Sequence, residues 1–209
     1  MTTYFTSDTH FGHARILELG DGRPFLNVDE HNEALIYRWN ETVKHYDTVY
    51  HLGDVALGLI ADSLPLVGRL NGHKLLISGN HDRISTAMSV SQRERFRPIY
   101  LEYFDEILPE ILTVPLRLDN GWGETESLTL SHYPPTGDSQ DKDRYSELRP
   151  EHVAGRVYIA GHTHTHDKYT ITDLGAIIIN VGVDARDYTP VSLDEVLSDI
   201  VEARKQTQS

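Results

Sequence analysis

Several short apolar runs in this chain stop abruptly at glycine and at side chains able to bind ions, and this repeated arrangement restricts the fold more than any other feature. Leu75-Leu76-Ile77-Ser78-Gly79-Asn80-His81-Asp82 is the fullest case. Its apolar residues read as the end of a buried strand, and Ser78-Gly79 allows a sharp turn that presents Asn80, His81 and Asp82 together. Asn offers a neutral carbonyl ligand, His can ligate or carry a proton, and Asp can fix a neighbouring imidazole. Thr48 to Leu52 ends in the same way at Gly53-Asp54, and Val157 to Ala160 at Gly161-His162-Thr163-His164.

Between these runs the periodicity changes to that of helices. Asn27 with Glu30 forms a capping box, and Leu35, Ile36, Trp39 and Val43 make one buried stripe opposite Glu33, Arg38, Glu41 and Lys44. A second helix is expected within Ile60 to Leu70, starting late or bending at Pro65. A last helix opens at Ser192-Leu193-Asp194-Glu195, buries Leu193, Val196, Leu197, Ile200 and Val201, and frays after Ala203. Strands separated by helices imply β-α-β units, a largely parallel sheet and ligands gathered at the carboxyl ends of its strands.

The remaining strands read as Thr3 to Thr6, Lys74 to Ser78, Ile111 to Leu118 and Ser127 to Ser131, the last two forming a hairpin around Asp119-Asn120-Gly121. Tyr169 to Thr172 and Ala176 to Val181 form another hairpin, turning at Asp173-Leu174-Gly175. From Ser91 to Glu110 a helix or an irregular cover is expected, carrying Tyr100, Tyr103, Phe104, Ile107 and Leu108, while residues 136 to 152 read as a surface loop or lid. The 209 residues are expected to form one domain with a full core.

Five strand ends thus carry ion-binding groups: Asp8 and His10; Asp54; Asn80 and His81; His132; His162 and His164. Ends of strands in one sheet converge in space, so the five are expected to meet. With twelve histidines and no cysteine, any metal site must use nitrogen and oxygen ligands. Such a set suits Mn, Fe, Co, Ni, Zn or Mg in octahedral-like sites better than structural zinc.

Charge and hydropathy limit the partners. A net charge of −13 argues against a long nucleic acid, which needs a basic stripe to displace its counterions. Arg93, Arg95 and Arg97 are interrupted by Glu94 and read as a solvated face. No apolar run approaches the ~20 residues of a membrane span. Met1 to Phe5 lacks the pattern of a signal peptide, so a cytoplasmic setting is expected.

The series Asp-x-His, Gly-Asp, Gly-Asn-His-Asp, His and Gly-His-x-His, complete and in order from Asp8 to His164, resembles the calcineurin-like metallophosphoesterase superfamily. The resemblance implies a four-layer α/β/β/α sandwich of two mixed sheets with two divalent metal ions between them. It places Asp8, His10 and His164 on one ion, Asn80, His132 and His162 on the other, and Asp54 between them. It leaves His81 facing the substrate, to stabilise phosphoryl charge or protonate the leaving oxygen, with Asp82 orienting its ring. Two ions ~3.5–4 Å apart can share a hydroxide and clamp phosphoryl oxygens. The two ions outweigh the two ligand carboxylates, so a small anion is drawn to the site while a long polyanion meets the negative surface beyond it.

Departures from the family pattern narrow the class. The family's Ser/Thr protein phosphatases continue the second motif with Asp-Arg-Gly, whereas here Gly53-Asp54 runs on as Val55-Ala56-Leu57-Gly58. Some small bacterial relatives carry Cys where this chain has His81, and the double-strand-break nucleases carry added domains for which 209 residues leave no room. The expected activity is hydrolysis of small phosphodiesters, with a nucleotide or cyclic nucleotide as substrate. The alternatives are phosphomonoesterase or nucleotide pyrophosphatase action and, in another class, a catalytically silent scaffold. Outside the ligand set, His13 is the substrate-pocket candidate and His166 a weaker one, Asn180 and Tyr133 either touch substrate or pack, and His31, His45, His51, His73 and His152 read as surface or packing residues.

Overall fold

The computed structural model describes residues 1–19, 22–117, 125–138, 140 and 144–207. Two five-stranded mixed sheets carry the fold. In the first, β1 (Thr3–Thr6), β2 (Thr48–His51), β3 (His73–Leu76) and β4 (Glu106–Ile107) lie parallel in that order, and β10 (Val191–Ser192) pairs antiparallel with β1. In the second, β6 (Thr125–Ser131), β7 (Val157–Ala160) and β9 (Ile177–Asn180) are parallel neighbours. There β5 (Ile111–Arg117) and β8 (Tyr169–Ile171) close the edges antiparallel.

Alternation of side chains along the strands decides which faces are buried. From β7, Val157 and Ile159 join Ile177 and Ile179 of β9 and Leu128 and Leu130 of β6 in a core that also holds Phe5, Leu52 and Ile77 from the first sheet side. Helix α4 (Leu193–Thr207) adds Val196, Ile200 and Ala203 to the same core. Each fully buried Leu or Ile contributes about 1.5–3 kcal/mol, so this shared layer ties the sheets firmly together. The other face of the first sheet packs Val49 and Leu76 against Leu35, Ile36 and Trp39 of α1 (Val28–Thr42) and Tyr100 of α3 (Val90–Tyr100).

The caps form as the sequence predicts. Asn27 Oδ1 accepts from the Glu30 amide 2.9 Å away, and Ser192 exchanges hydrogen bonds with Glu195. The expected helix over Ile60 to Leu70 is reduced to one turn, α2 (Ile60–Ser63), followed by a 3₁₀ stretch over Leu64–Arg69, because Pro65 removes an amide donor. Ser91 to Glu110 resolves into α3 and the two-residue edge strand β4, too short for any alternation to show. Helix α4 continues to Thr207 instead of fraying after Ala203, and Val201, expected inside, is 51% exposed. Strands β5 and β6 pair in register, from Ile111 opposite Ser131 to Arg117 opposite Thr125, while the expected turn at Asp119-Asn120-Gly121 lies outside the described residues. Among the described residues no helix is long and apolar enough to cross a membrane.

His51, at the end of β2, is a buried packing residue. Its Nε2 meets Thr9 Oγ1 at 3.0 Å and its Nδ1 accepts from the Gly53 amide at 3.2 Å. Burial holds its pKa down to about 3, from an ordinary 6.5. As pH falls, the unfolded chain takes up this proton first, so the stability present above pH 6.5 is lost toward the folded value, at about 1.4 kcal/mol per pH unit. Between pH 6.5 and 4.5 in chelator, urea unfolding of His51→Gln is expected to show a shallower loss of stability than the parent by about that amount per unit; equal slopes would contradict it.

Candidate metal centre

The six parallel strands other than β4 end near one another, and the backbone there is unusual. Asp8, His10, Asp54, His162 and His164 have φ of 60°, 48°, 55°, 71° and 54°. A left-handed conformation costs a non-glycine residue about 1–2 kcal/mol, and such strain gathers at functional sites. The expectation that Asp8 and His10 share a face through continued strand geometry is therefore replaced by another cause. Both residues leave the strand with positive φ, and the turn brings His10 Nε2 to 3.9 Å from Asp8 Oδ1.

The loops approach too closely for side chains at two positions. A Cβ on Gly79 would strike the Asp54 carboxylate and come within 2.8 Å of His132 Cε1, and one on Gly161 would strike the Asp8 carboxylate and Ser7. Glycine before Asn80 and before His162 is thus a consequence of how tightly the acidic residues sit against the loops.

The seven residues expected to bind ions come together in two abutting groups. In the first, His10 Nε2 and His164 Nε2 are 3.3 Å apart, and His164 Nε2 lies 3.8 Å from Asp8 Oδ1. In the second, His132 Nε2 stands 3.2 Å from both Asn80 Oδ1 and His162 Nδ1. Asp54 Oδ2 lies between them, 3.7 Å from His10 Nε2 and 3.6 Å from His132 Nε2. Donors of Asp8, His10 and His164 fall within 4.8 Å of one another, as do those of Asp8, Asp54 and His132. An ion with ligands at 2.0–2.1 Å separates neighbouring donors by roughly 3–3.4 Å, so modest closure would bring either group onto a cation.

The chemistry of the donors fits a divalent cation. Asp8, Asp54 and Asp82 are at most 2% exposed, and Asp8 Oδ1 has no hydrogen-bond partner among the described residues. Burial, with the nearby charges of Asp8 and Asp82, pushes the Asp54 carboxyl well above its ordinary range. Burial also lowers the pKa of His10, His132 and His162, the last to about 4, so that each is a neutral imidazole with a lone pair to offer. Burial opposes charge on His164 too, but its hydrogen bond to Asp184 and the charges of Asp8 and Asp184 outweigh this and raise its pKa.

Outer partners orient the rings. His132 Nδ1 donates to the Leu52 carbonyl at 2.8 Å, which turns Nε2 toward Asn80. His162 Nε2 faces Asp138 at 3.1 Å, leaving Nδ1 toward His132. Asp138 also pairs with Arg144 and Arg149, so the loop read from the sequence as a surface cover reaches the centre through this carboxylate. His164 Nδ1 meets Asp184 at 2.8 Å. Asp138 and Asp184 were not singled out by the sequence, because neither lies on a strand end that any pattern marks.

Asp82 acts differently from the role implied by the family resemblance. Its carboxylate accepts from the amides of Gly79, Asp54 and Val55 at 2.8, 2.9 and 3.1 Å and from Tyr100 Oη at 3.3 Å. Among the described residues it makes no hydrogen bond to the His81 ring, and it ties the β2 and β3 loops together instead. His81 is 44% exposed, with Nε2 3.9 Å from Asp54 Oδ2. Burial and the neighbouring His132 and His13 bring its pKa to about 4. The half-buried His13 ring sits 5.4 Å from that of His10.

The other candidates lie outside the ligand groups. Asn180 is committed to structure, its Oδ1 accepting from Gly182 and its Nδ2 donating to the Thr165 carbonyl. Tyr133 is buried edge-on against His132. His166 is exposed and donates to the Asp184 carbonyl. His31 is fully buried against Arg23, whereas His45 and His73 are exposed.

The sequence profile of the calcineurin-like phosphoesterase superfamily domain matches residues 1–193. The chain belongs to this superfamily. Membership of the calcineurin-like phosphoesterases carries phosphoester hydrolysis with divalent metal ions, which agrees with the buried nitrogen and oxygen donors. The chain is 34% identical over 200 residues to the Gene 66 protein of Mycobacterium phage L5, covering 93% of this chain and 91% of that one. It is 33% identical over 198 residues to an uncharacterized protein of Methanocaldococcus jannaschii, covering 93% and 88%. A solved structure of a protein of unknown function from Aquifex aeolicus superposes with a TM-score of 0.65 at 25% identity, covering 94% of this chain and 98% of that one.

If Asp82 holds the loops, Asp82→Asn places an amide nitrogen against backbone donors and lowers stability by about 1–3 kcal/mol together with metal affinity. Denaturation and metal titration check this; loss of turnover alone would restore its role as the partner of His81.

Proposed function

We propose that residues 1–209 form one two-metal phosphodiesterase domain acting on small phosphodiesters, with a nucleotide or cyclic nucleotide as the substrate class. The observation that carries this reading is the position of Asp54 Oδ2 between His10 at 3.7 Å and His132 at 3.6 Å, one from each donor group. Asp8, His10 and His164 would hold one ion and Asn80, His132 and His162 the other, with Asp54 shared. Bound there, two ions supply Lewis-acid polarisation of the phosphoryl group and a nucleophile at neutral pH. Manganese is the first metal to test, and the sulfur-free donor set also admits Fe, Co, Ni, Zn or Mg.

The chain's own groups orient and complete the site. The His81 amide donates to Asp54 Oδ1 at 2.9 Å, which fixes the backbone so that the half-exposed ring stands over Asp54, beside the ring of His10 at 5.7 Å. From there its Nε2 can donate to a phosphoryl or leaving-group oxygen. His13, half-buried beside the His10 ring at 5.4 Å, is the further substrate-side candidate. The missing Asp-Arg-Gly extension after Asp54 weighs against a protein phosphatase, and the net charge of −13 weighs against long nucleic acid.

Turnover of bis-p-nitrophenyl phosphate against p-nitrophenyl phosphate, with Mn²⁺ and with chelator, tests the reading. Metal-dependent turnover favouring the diester is expected. Preference for the monoester would move the assignment to a phosphomonoesterase, and silence toward both with metal bound would move it to a scaffold. His81→Ala is expected to keep both metals and to lose about 10²–10³-fold in kcat. A parallel fall in metal content would make His81 a ligand.

A further inference from the structure

Arg23 comes from the segment between β1 and α1, where no sequence motif marks it, yet it is only 5% exposed, with its guanidinium against the Asp8 and Thr9 carbonyls. All five of its N–H groups find acceptors. Nε donates to Asp184 Oδ1 at 2.8 Å. Nη2 donates to Asp184 Oδ2 and to the Asp8 carbonyl, both at 2.8 Å. Nη1 donates to the Thr9 carbonyl at 3.3 Å and to His31 Nε2 at 2.9 Å. Burial and the nearby Arg23 charge bring the His31 pKa to about 4, which keeps it a neutral acceptor. The planar fork of arginine matches this arrangement, whereas the point charge of lysine does not.

These bonds bear on the group of Asp8, His10 and His164. Asp184 Oδ2 receives His164 Nδ1 at 2.8 Å as well as Arg23, so the guanidinium fixes the carboxylate that fixes the ring. The same guanidinium holds the carbonyl of Asp8, whose backbone is in the left-handed region and whose amide is bound to the Gly53 carbonyl at 2.9 Å. Two of the three donors in the Asp8, His10 and His164 group therefore depend on Arg23. The rings of the other group are set elsewhere, His132 by the Leu52 carbonyl and His162 by Asp138.

We propose that Arg23 and Asp184 are positioning residues for one ion of the pair, the one facing Asp8, His10 and His164, and leave the other ion unaffected. This rests on the two-metal reading above. Arg23 contacts no reacting atom; it sets the carbonyl of Asp8 directly and the ring of His164 through Asp184.

The test is Mn²⁺ binding to the metal-free full chain, measured by calorimetry and by electron paramagnetic resonance. The parent is expected to bind two ions per chain and to show an exchange-coupled pair. Asp184→Asn, which keeps the side chain's size, and Arg23→Met are each expected to hold one ion at the parent's affinity and the other about 10–100-fold more weakly. With one equivalent bound they should show the hyperfine pattern of isolated Mn²⁺. Arg23→Lys should not restore the pair. Parent-like binding of both ions in Asp184→Asn, or equal loss of both, would overturn the proposal while leaving the two-metal reading intact. A parent that binds no ion pair would overturn that reading and this inference with it. If Arg23→Met does not fold, Asp184→Asn alone decides.

Discussion

Three carboxylates, Asp8, Asp54 and Asp82, are buried where the ends of two sheets meet, and the rest of the structure is arranged around holding these like charges together. Asp82 is the most fully hydrogen-bonded, receiving three backbone amides and a tyrosine hydroxyl. Asp8 keeps an oxygen without a partner among the described residues, and Asp54 is pushed toward its protonated form. The neutral imidazole of His10 faces both. Uncompensated charge in a buried site is costly, and a divalent cation is the group that such a mixture of carboxylate and imidazole best accommodates.

Holding donors in this way needs a stiff support, because five of them sit in left-handed backbone. The support is the apolar layer shared by the two sheets and α4, where side chains such as Leu52, Ile77 and Ile159 are fully buried directly before the loops begin. Packing that dense resists relaxation, so strain at the strand ends persists. Asp82 and His51 then join neighbouring loops to each other. The donor cluster is in this sense an extension of the core, and His81, its ring half-exposed, is hydrogen-bonded to it through its amide.

Much of this arrangement was legible in the chain. The donors at the five strand ends, the capping residues Asn27 and Ser192, and the α1 stripe of Leu35, Ile36 and Trp39 are local patterns, and the structure has them where the pattern puts them. Elements of two residues, β4 and β10, carry no period and could not be read. Pro65 was visible, but whether it would delay, bend or replace the helix depended on the packing around Leu64 and Val67. The resemblance implies that Asp82 orients the His81 ring, whereas in the structure its carboxylate turns to the amides of Gly79, Asp54 and Val55.

The sequence by itself determined which atoms can bind an ion, the order in which the chain delivers them, and the periodicities that make strands and helices, since all of these are properties of single residues or near neighbours. Tertiary structure decided what lies beside what. His10 and His164 meet across 154 positions, and Arg23 reaches Asp184 across 161. Contacts of that span leave no local signature, because they are created only when two sheets pack face to face and bring the ends of their strands to one place.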